Sequence, residues 1–391
     1  MSVRDLVRRD YMRIAIFTDT FYPDINGVAR TLKRLTTFLE DQNITFKIFA
    51  PDSTSKEYVS SHIHRFKSLS FFLYPECRLA FPNLLEIKSE LQSFSPDLIH
   101  VATPFNIGLC GVYFSKKLNI PLVASYHTNF DDYLQYYNLP FLSKVHWKYM
   151  HWFHRTCKKI FVPSPATFQL LKQHGFTNLE LWPRGVDCQL FHPHYDKSAV
   201  KGLYCPQGGF LLTYVGRLAP EKDLETLLAV AKSMPSDINQ KIQWLIIGDG
   251  PLREELETQA PANMTFTGYL RGGRLAEAYA ASDLFVFPSP TETFGNVVLE
   301  SLASGTPVIG AKSGGVQSII SVGETGLLCK PGDVQEFTGA ILQLLTNNRL
   351  REQMGGAGRN YALTQSWDHI LENLIYQYTN VIEELNEQKY A

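Results

Sequence analysis

The chain has 391 residues, 45% of them hydrophobic and 19% charged, with a formal net charge of −1. That length exceeds the roughly 250–300 residues at which a single core stops growing, so two domains are expected. The near-neutral balance excludes a general nucleic-acid binder, and no apolar run approaches the roughly 20 residues of a membrane-crossing helix. The six cysteines (77, 110, 157, 188, 205 and 329) show neither zinc nor redox spacing, so reduced thiols and a cytoplasmic location are expected.

Met1 to Asp10 is polar and basic and reads as an extension before the first strand, with Met12 as an alternative start. Arg13 to Thr18 is a continuous apolar run of the kind found in parallel strands buried on both faces. A turn from Asp19 to Gly27 leads into a helix from Val28 to about Asp41, half of a Rossmann-like unit. Gly27, with no side chain, allows close approach to a ligand; an ordinary strand-to-helix turn is the other reading. Phe46–Ala50, Asp97–Val101, Pro121–Ser125 and Ile160–Pro163 read as further strands, with helices over 106–118 and 165–174. Strands alternating with helices predict a parallel, doubly wound sheet.

Tyr126-His-Thr-Asn129 lies just past a strand end. His127 there is either a hydrogen-bond donor to a sugar or proton-shuttling group, or a structural histidine. Phe141 to Lys159 carries Lys144, Lys148, Arg155, Lys158 and Lys159 and no acid, interleaved with aromatic residues. As a helix it places Val145, Tyr149, Trp152 and Phe153 on one face. It is either a core helix with a solvated basic side or a contact for an anionic membrane surface.

The alternation loosens at Arg184-Gly-Val-Asp187 and resumes at Phe210–Val215, so a joint is expected over about 184–208. Gly216-Arg-Leu-Ala-Pro-Glu-Lys222 follows that strand, placing Arg217 and Lys222 at a carboxyl edge, where open α/β sheets bind ligands. Gly248-Asp-Gly-Pro251 lacks the third glycine of a dinucleotide fingerprint and reads as a turn. Leu284–Phe287 is a buried strand; the chain then breaks at Pro288 and Pro290 and restarts as a helix near Asn296. Glu292 on the loop and Glu300, one turn past Asn296, flank the free amides of that helix start, which suits a phosphate beside sugar hydroxyls. A capped helix with two solvated acids is the other reading. Trp367 to Glu387 is one long amphipathic helical pattern.

Glu292 and Glu300, with Phe294-Gly295 between them, together with Gly216-Arg217 and Lys222, resemble the signature of retaining GT-B glycosyltransferases of family 4. Thr18-Asp-Thr-Phe-Tyr-Pro and Asn26-Gly-Val28 resemble that family's first-domain loop, and Arg184-Gly-Val-Asp187 the joint before its second domain. Within the family the chain is most similar to GDP-mannose-dependent α-mannosyltransferases and sulfolipid-synthase-like enzymes, a branch that tends to act on lipid acceptors. The resemblance implies an α/β GT-B fold, two Rossmann-like domains facing each other across a cleft. An acceptor-side domain spans 1–183, a linker 184–208 and a nucleotide-sugar-binding domain 209–366, with a C-terminal helix, 367–391, crossing back onto the first domain.

The same resemblance implies the roles. Arg217 and Lys222 hold the diphosphate, Glu300 the ribose hydroxyls and Glu292 the donor sugar, while the amides of Gly295, Asn296 and Val297 add phosphate contacts. Gly216 and Phe294 join the donor wall. Tyr269 and Leu270 contact the base, partly through backbone. His127 hydrogen-bonds the sugar near its hydroxymethyl group and joins Arg217, Lys222 and Glu292 as a catalytic set. Asp19, Asn26, Gly27 and Asn129 fall on the acceptor side. No Asp-x-Asp pair occurs, so cations and helix amides are expected to offset the diphosphate with neither metal nor cofactor beyond the nucleotide sugar.

The implied reaction is front-face transfer with retention from GDP-mannose, or a UDP-hexose, to a lipid or glycan. The leaving phosphate helps deprotonate the acceptor, so Glu292 and Glu300 are not the acid and nucleophile of paired-carboxylate hydrolysis. A sugar-nucleotide 2-epimerase and an inactive scaffold on the same architecture are the alternatives. The location implied is cytoplasmic, peripheral on the inner face of the cell membrane.

Overall fold

Apolar runs without alternation become the buried strands of two parallel sheets. The computed structural model describes residues 12–24, 26–52, 60–70, 78–131, 134 and 140–390; the basic start of the chain lies outside them. The first sheet contains β1 (Arg13–Phe17), β2 (Thr45–Pro51), β3 (Ile63–Phe66), β4 (Leu98–Val101), β5 (Leu122–Ser125), β6 (Lys159–Val162) and β7 (Leu179–Leu181). Its order is β3-β2-β1-β4-β5-β6-β7, every pair parallel. The second contains β8 (Phe210–Val215), β9 (Ile242–Ile247), β10 (Met264–Gly268), β11 (Leu284–Phe287), β12 (Val308–Ala311) and β13 (Gly326–Cys329), in the order β10-β9-β8-β11-β12-β13, again parallel. Strand order thus reverses at β1/β4 in one sheet and at β8/β11 in the other. At such a switch point adjacent loops leave toward opposite faces and open a crevice beyond the carboxyl ends.

Six helices position the site: α1 (Gly27–Asp41), α2 (Asn106–Leu118), α3 (Ser143–His154), α4 (Pro165–Gln173), α5 (Asn296–Ala303) and α6 (Trp367–Tyr390). In β1 the side chains alternate between two cores: Ala15 and Phe17 enter one cluster with Phe114 and Phe153, Ile14 and Ile16 the other. The second cluster includes Leu371, Leu374 and Tyr378 of α6, which therefore packs on the first sheet although it follows the second in sequence. A strand buried on both faces carries apolar residues at every position, the pattern visible in its sequence. The stretch expected as a joint also carries a helix, Lys197–Tyr204.

In α3 the expected apolar face is corrected. Trp147, Met150, Phe153 and His154 are buried, while Val145 and Trp152 are 62% and 47% exposed. Aromatic residues occur all round this helix, so spacing alone does not identify its inner face. The ring stack of Trp147 on His174, with centroids 3.6 Å apart, fixes the rotation.

Leu374 is 2% exposed, so Leu374→Ala should cost about 2–5 kcal/mol by loss of apolar contact and cavity formation. A lowered urea midpoint for the first domain is the expected reading; an unchanged midpoint would show that α6 contributes nothing to that domain's stability.

Candidate active site

Two helices begin at the crevice. Asn26 caps α1, its side-chain oxygen accepting from Ala29 N at 2.8 Å while its amide donates to Thr20 Oγ1 at 2.7 Å. α5 begins after Gly295, whose φ of +107° is a backbone conformation that side-chain-bearing residues rarely adopt. Neither first turn carries an acid, so both starts present amides and a partial positive charge. A Cβ placed on Gly27 would lie 3.9 Å from Asn296 Nδ2, so the two starts meet across a cavity of about 260 Å³. Asn296 Oδ1 is buried there without a hydrogen-bond partner.

All but one of the residues singled out from sequence line this cavity: Asn26, Gly27, His127, Asn129, Gly216, Arg217, Lys222, Tyr269, Leu270, Glu292, Phe294, Gly295, Asn296, Val297 and Glu300. The exception is Asp19. It is fully buried and caps α2, accepting from Ile107 N at 2.8 Å and Gly108 N at 3.3 Å, with Thr103 Oγ1 2.6 Å away. Its place on the acceptor side is therefore corrected: the strand end carries it under the neighbouring helix rather than into the crevice. Burial raises its carboxyl to about 6. Gly248, read from sequence only as a turn, also lines the cavity. A Cβ on it would stand 1.8 Å from Gly216 O, so it must be glycine for β8 and β9 to end side by side.

The cations do not stand alone. Lys222 Nζ donates to Glu292 Oε1 at 2.5 Å. Arg217 Nη1 lies 3.7 Å from Glu221 Oε1; Glu221 is wholly buried and neither of its carboxylate oxygens has a hydrogen bond. Glu300 Oε2 accepts from Tyr279 Oη at 3.2 Å, and Arg30 of α1 approaches its other oxygen at 3.9 Å from across the crevice. Burial raises the Glu300 carboxyl to about 7, only partly offset by Arg30 and the tyrosine hydroxyl.

His127 departs from the sequence expectation. Its Nε2 is 2.7 Å from Ser125 Oγ and its Nδ1 2.9 Å from Arg184 Nη2, so both ring nitrogens already have protein partners and neither serves as a free donor or proton shuttle. Burial, the Arg184 guanidinium and His100 hold the imidazole well below its ordinary pKa. Beyond Ser125 the contacts continue to His100 Nε2 at 2.9 Å, and from His100 Nδ1 to Tyr378 Oη at 2.7 Å.

Sequence reasoning missed Arg30, Glu221, Tyr279 and Thr293, and quoted Arg184 only as part of a joint. Thr293 sits between Glu292 and Phe294. Its carbonyl accepts from Ser164 Oγ at 2.7 Å and Thr167 Oγ1 at 3.2 Å, at the start of α4, and its own hydroxyl donates to the His127 carbonyl at 2.8 Å. The loop bearing Glu292 is thus tied to the first domain. Ser164 followed by Pro165 marks a helix start from sequence, but not the partner it finds.

Comparison with known proteins agrees over nearly the whole chain. Residues 25–190 match the family model "Glycosyltransferase Family 4" and residues 201–361 match "Glycosyl transferases group 1". A GDP-mannose-dependent alpha-mannosyltransferase of Corynebacterium glutamicum is 32% identical over 377 residues, 95% of this chain and 89% of that protein. An alpha-monoglucosyldiacylglycerol synthase of Streptococcus pneumoniae is 30% identical, covering 85% of this chain and 78% of its own length. Among solved structures, a sucrose-phosphate synthase from Thermosynechococcus elongatus superposes with a TM-score of 0.81 at 22% identity, covering 96% of this chain and 100% of the other.

A carboxyl whose pKa is raised on folding, as Glu300's is, contributes stability below its unfolded value near 4.5 that is lost as pH rises through about 7. Glu300→Gln should therefore stabilise the empty protein, by roughly 2 kcal/mol more at about pH 8 than at about pH 5. Thermal melts at the two pH values check this; an equal effect at both would remove burial of the charge as its cause.

Proposed function

The chain belongs to the family 4 glycosyltransferases of the GT-B fold, and from that premise we propose that it moves a hexose, mannose first among them, from a nucleotide-diphosphate sugar to a hydroxyl of a lipid or glycan, with retention. The observation that carries this reading is the meeting of two acid-free helix starts with Arg217, Lys222 and Glu300 around one crevice. The amides of α5 and the two cations receive the diphosphate. Glu300 accepts from the ribose hydroxyls. Phosphate arriving at Lys222 competes with Glu292 for the ammonium, freeing that carboxylate to accept from the donor sugar. Charge developing on the leaving phosphate is met by groups already in place, the usual source of a large rate effect. Mannose and a lipid acceptor are favoured because the relatives bear GDP-mannose and diacylglycerol in their names.

The experiment is incubation with GDP- and UDP-sugars and candidate lipids, following nucleotide release and the anomeric configuration of the product. Acceptor-dependent release with the donor's anomeric configuration kept is expected. Donor interconversion without acceptor would favour an epimerase, and an inverted product would remove the front-face mechanism. Lys222→Ala should lower kcat by a factor on the order of 10²–10³ without unfolding the protein, the scale for loss of one preorganised charge-stabilising group; near-wild-type turnover in the folded variant would sink the leaving-group role.

The acceptor reading extends to α3. Among the described residues no helix is long and apolar enough to cross a membrane. Yet Phe141, Lys144, Val145, Lys148, Trp152 and Arg155 recur at helical spacing on the exposed side, with no acid between 141 and 159. Lys159 is not part of this stripe, being bonded to Glu180 and Gln377. Cations beside exposed apolar side chains complement an anionic bilayer surface, each cation contributing about 1 kcal/mol there. Co-sedimentation with vesicles should therefore rise with anionic lipid, fall with salt, and weaken in the double variant K148E/R155E; indifference to all three would dismiss the contact.

A further inference from the structure

The partners of His127 leave its protons only one arrangement. A guanidinium donates and never accepts, so Arg184 Nη2, 2.9 Å from Nδ1, requires that nitrogen to be the accepting one. The ring proton then sits on Nε2 and points to Ser125 Oγ at 2.7 Å. Ser125 Oγ also lies 2.9 Å from His100 Nε2, and His100 Nδ1 lies 2.7 Å from Tyr378 Oη. Four contacts run from the joint, through the wall of the crevice, to the C-terminal helix.

We propose that Arg184 is a positioning residue for the transfer reaction: its guanidinium fixes His127 as a neutral Nε2–H imidazole, so that the crevice presents the donor sugar with a rigid, uncharged ring. This rests on the crevice being the donor site. Arg184 is suited to the task by its own confinement. It is 4% exposed, its Nη1 donates to the carbonyls of Trp182 and Pro183, and its Cζ lies 4.7 Å from the centroid of the Trp182 ring. Among the described residues no carboxylate pairs with it, and burial lowers its own pKa to about 9. The charge it carries is therefore directed at the imidazole rather than neutralised.

The groups facing His127 are Arg184 from the joint, Ser125 at the end of β5 and His100 behind it, with Thr293 on its carbonyl. None is an acid, so a second proton on the ring would place two cations together with nothing to offset them. His127 neither takes nor gives a proton during turnover.

The test is ring-nitrogen NMR of the full chain with 15N-labelled histidine, beside kinetics. In the wild type His127 should show the neutral Nε2–H tautomer unchanged from about pH 5 to 8, where an ordinary histidine titrates. Arg184→Met should admit the neutral Nδ1–H tautomer of His127, with Ser125 donating to Nε2, and lower kcat on the order of 10²-fold, the scale of a displaced site group, with donor KM changed far less; Arg184→Lys, which keeps a charged donor, should recover part of the loss. If Arg184→Met does not fold, Ser125→Ala serves: the Nε2–H tautomer should persist, held by Arg184 alone, and a switch to Nδ1–H would overturn the proposal. A wild-type imidazolium or Nδ1–H form would overturn it too. A correct tautomer with full kcat in Arg184→Met would remove the positioning role while leaving the donor site standing; failure of every sugar nucleotide to react would instead strike the transferase reading, since the tautomer is measured without substrate.

Discussion

Each of the two sheets reverses its strand order once, and the position of every group in the crevice descends from those reversals. At β1/β4 and at β8/β11 the loops on either side of the reversal leave toward opposite faces, so a gap opens that no side chain of the sheet fills. Helices entered from those loops begin at the gap. The exposed amides of α1 and α5 are then an outcome of topology, present whatever the side chains are. Residue identity only refines this: glycine at 27 and 295 brings backbone close, and the absence of acids in the first turns leaves the partial charge uncancelled.

Charge in the empty crevice is arranged in provisional pairs. Lys222 holds Glu292, Arg217 lies near Glu221, and Arg30 reaches Glu300. Such pairs keep long side chains ordered at modest net energy, since desolvation cancels much of their attraction. A doubly charged ligand needs only to outcompete a neighbouring carboxylate, with no large reorganisation of the cations. Glu300 marks the cost of readiness, because its burial is unfavourable to the very ionised form best able to accept from two hydroxyls.

How much of this was legible in the sequence depends on how local each signal is. Central strands announce themselves because both faces are buried: β1, β2, β4, β5, β6, β8 and β11 appear as largely apolar runs, each within a residue or two of its observed bounds. β3 (Ile63–Phe66) and β7 (Leu179–Leu181) were not foreseen; these short edge strands mix polar and apolar residues and gain their identity only by pairing with β2 and β6. Site residues behind glycine-bearing loops could be named because strand-end position places them. Asp19 occupied such a position and still went elsewhere, since a carboxylate next to the bare amides of α2 is held there. His127 could be placed but not understood: Arg184, the group that decides its chemistry, is 57 residues away. Distant pairings such as Arg30 with Glu300 leave no local trace at all.

The chain passes between its halves twice, and both passages lie together. Val186 N donates to Gln365 O at 3.1 Å, and a Cβ on Gly185 would meet Trp367 N at 2.7 Å, so the outgoing and returning segments are in contact. Two tethers at one spot act mechanically as a single pin. Any swing of one half against the other must turn about it, sweeping the far lip of the crevice most and the Arg184 corner least. The rigid hydrogen-bonded wall therefore sits beside the axle, where motion is smallest, and Thr293, bonded to the His127 carbonyl, ties the loop of Glu292 to that still corner.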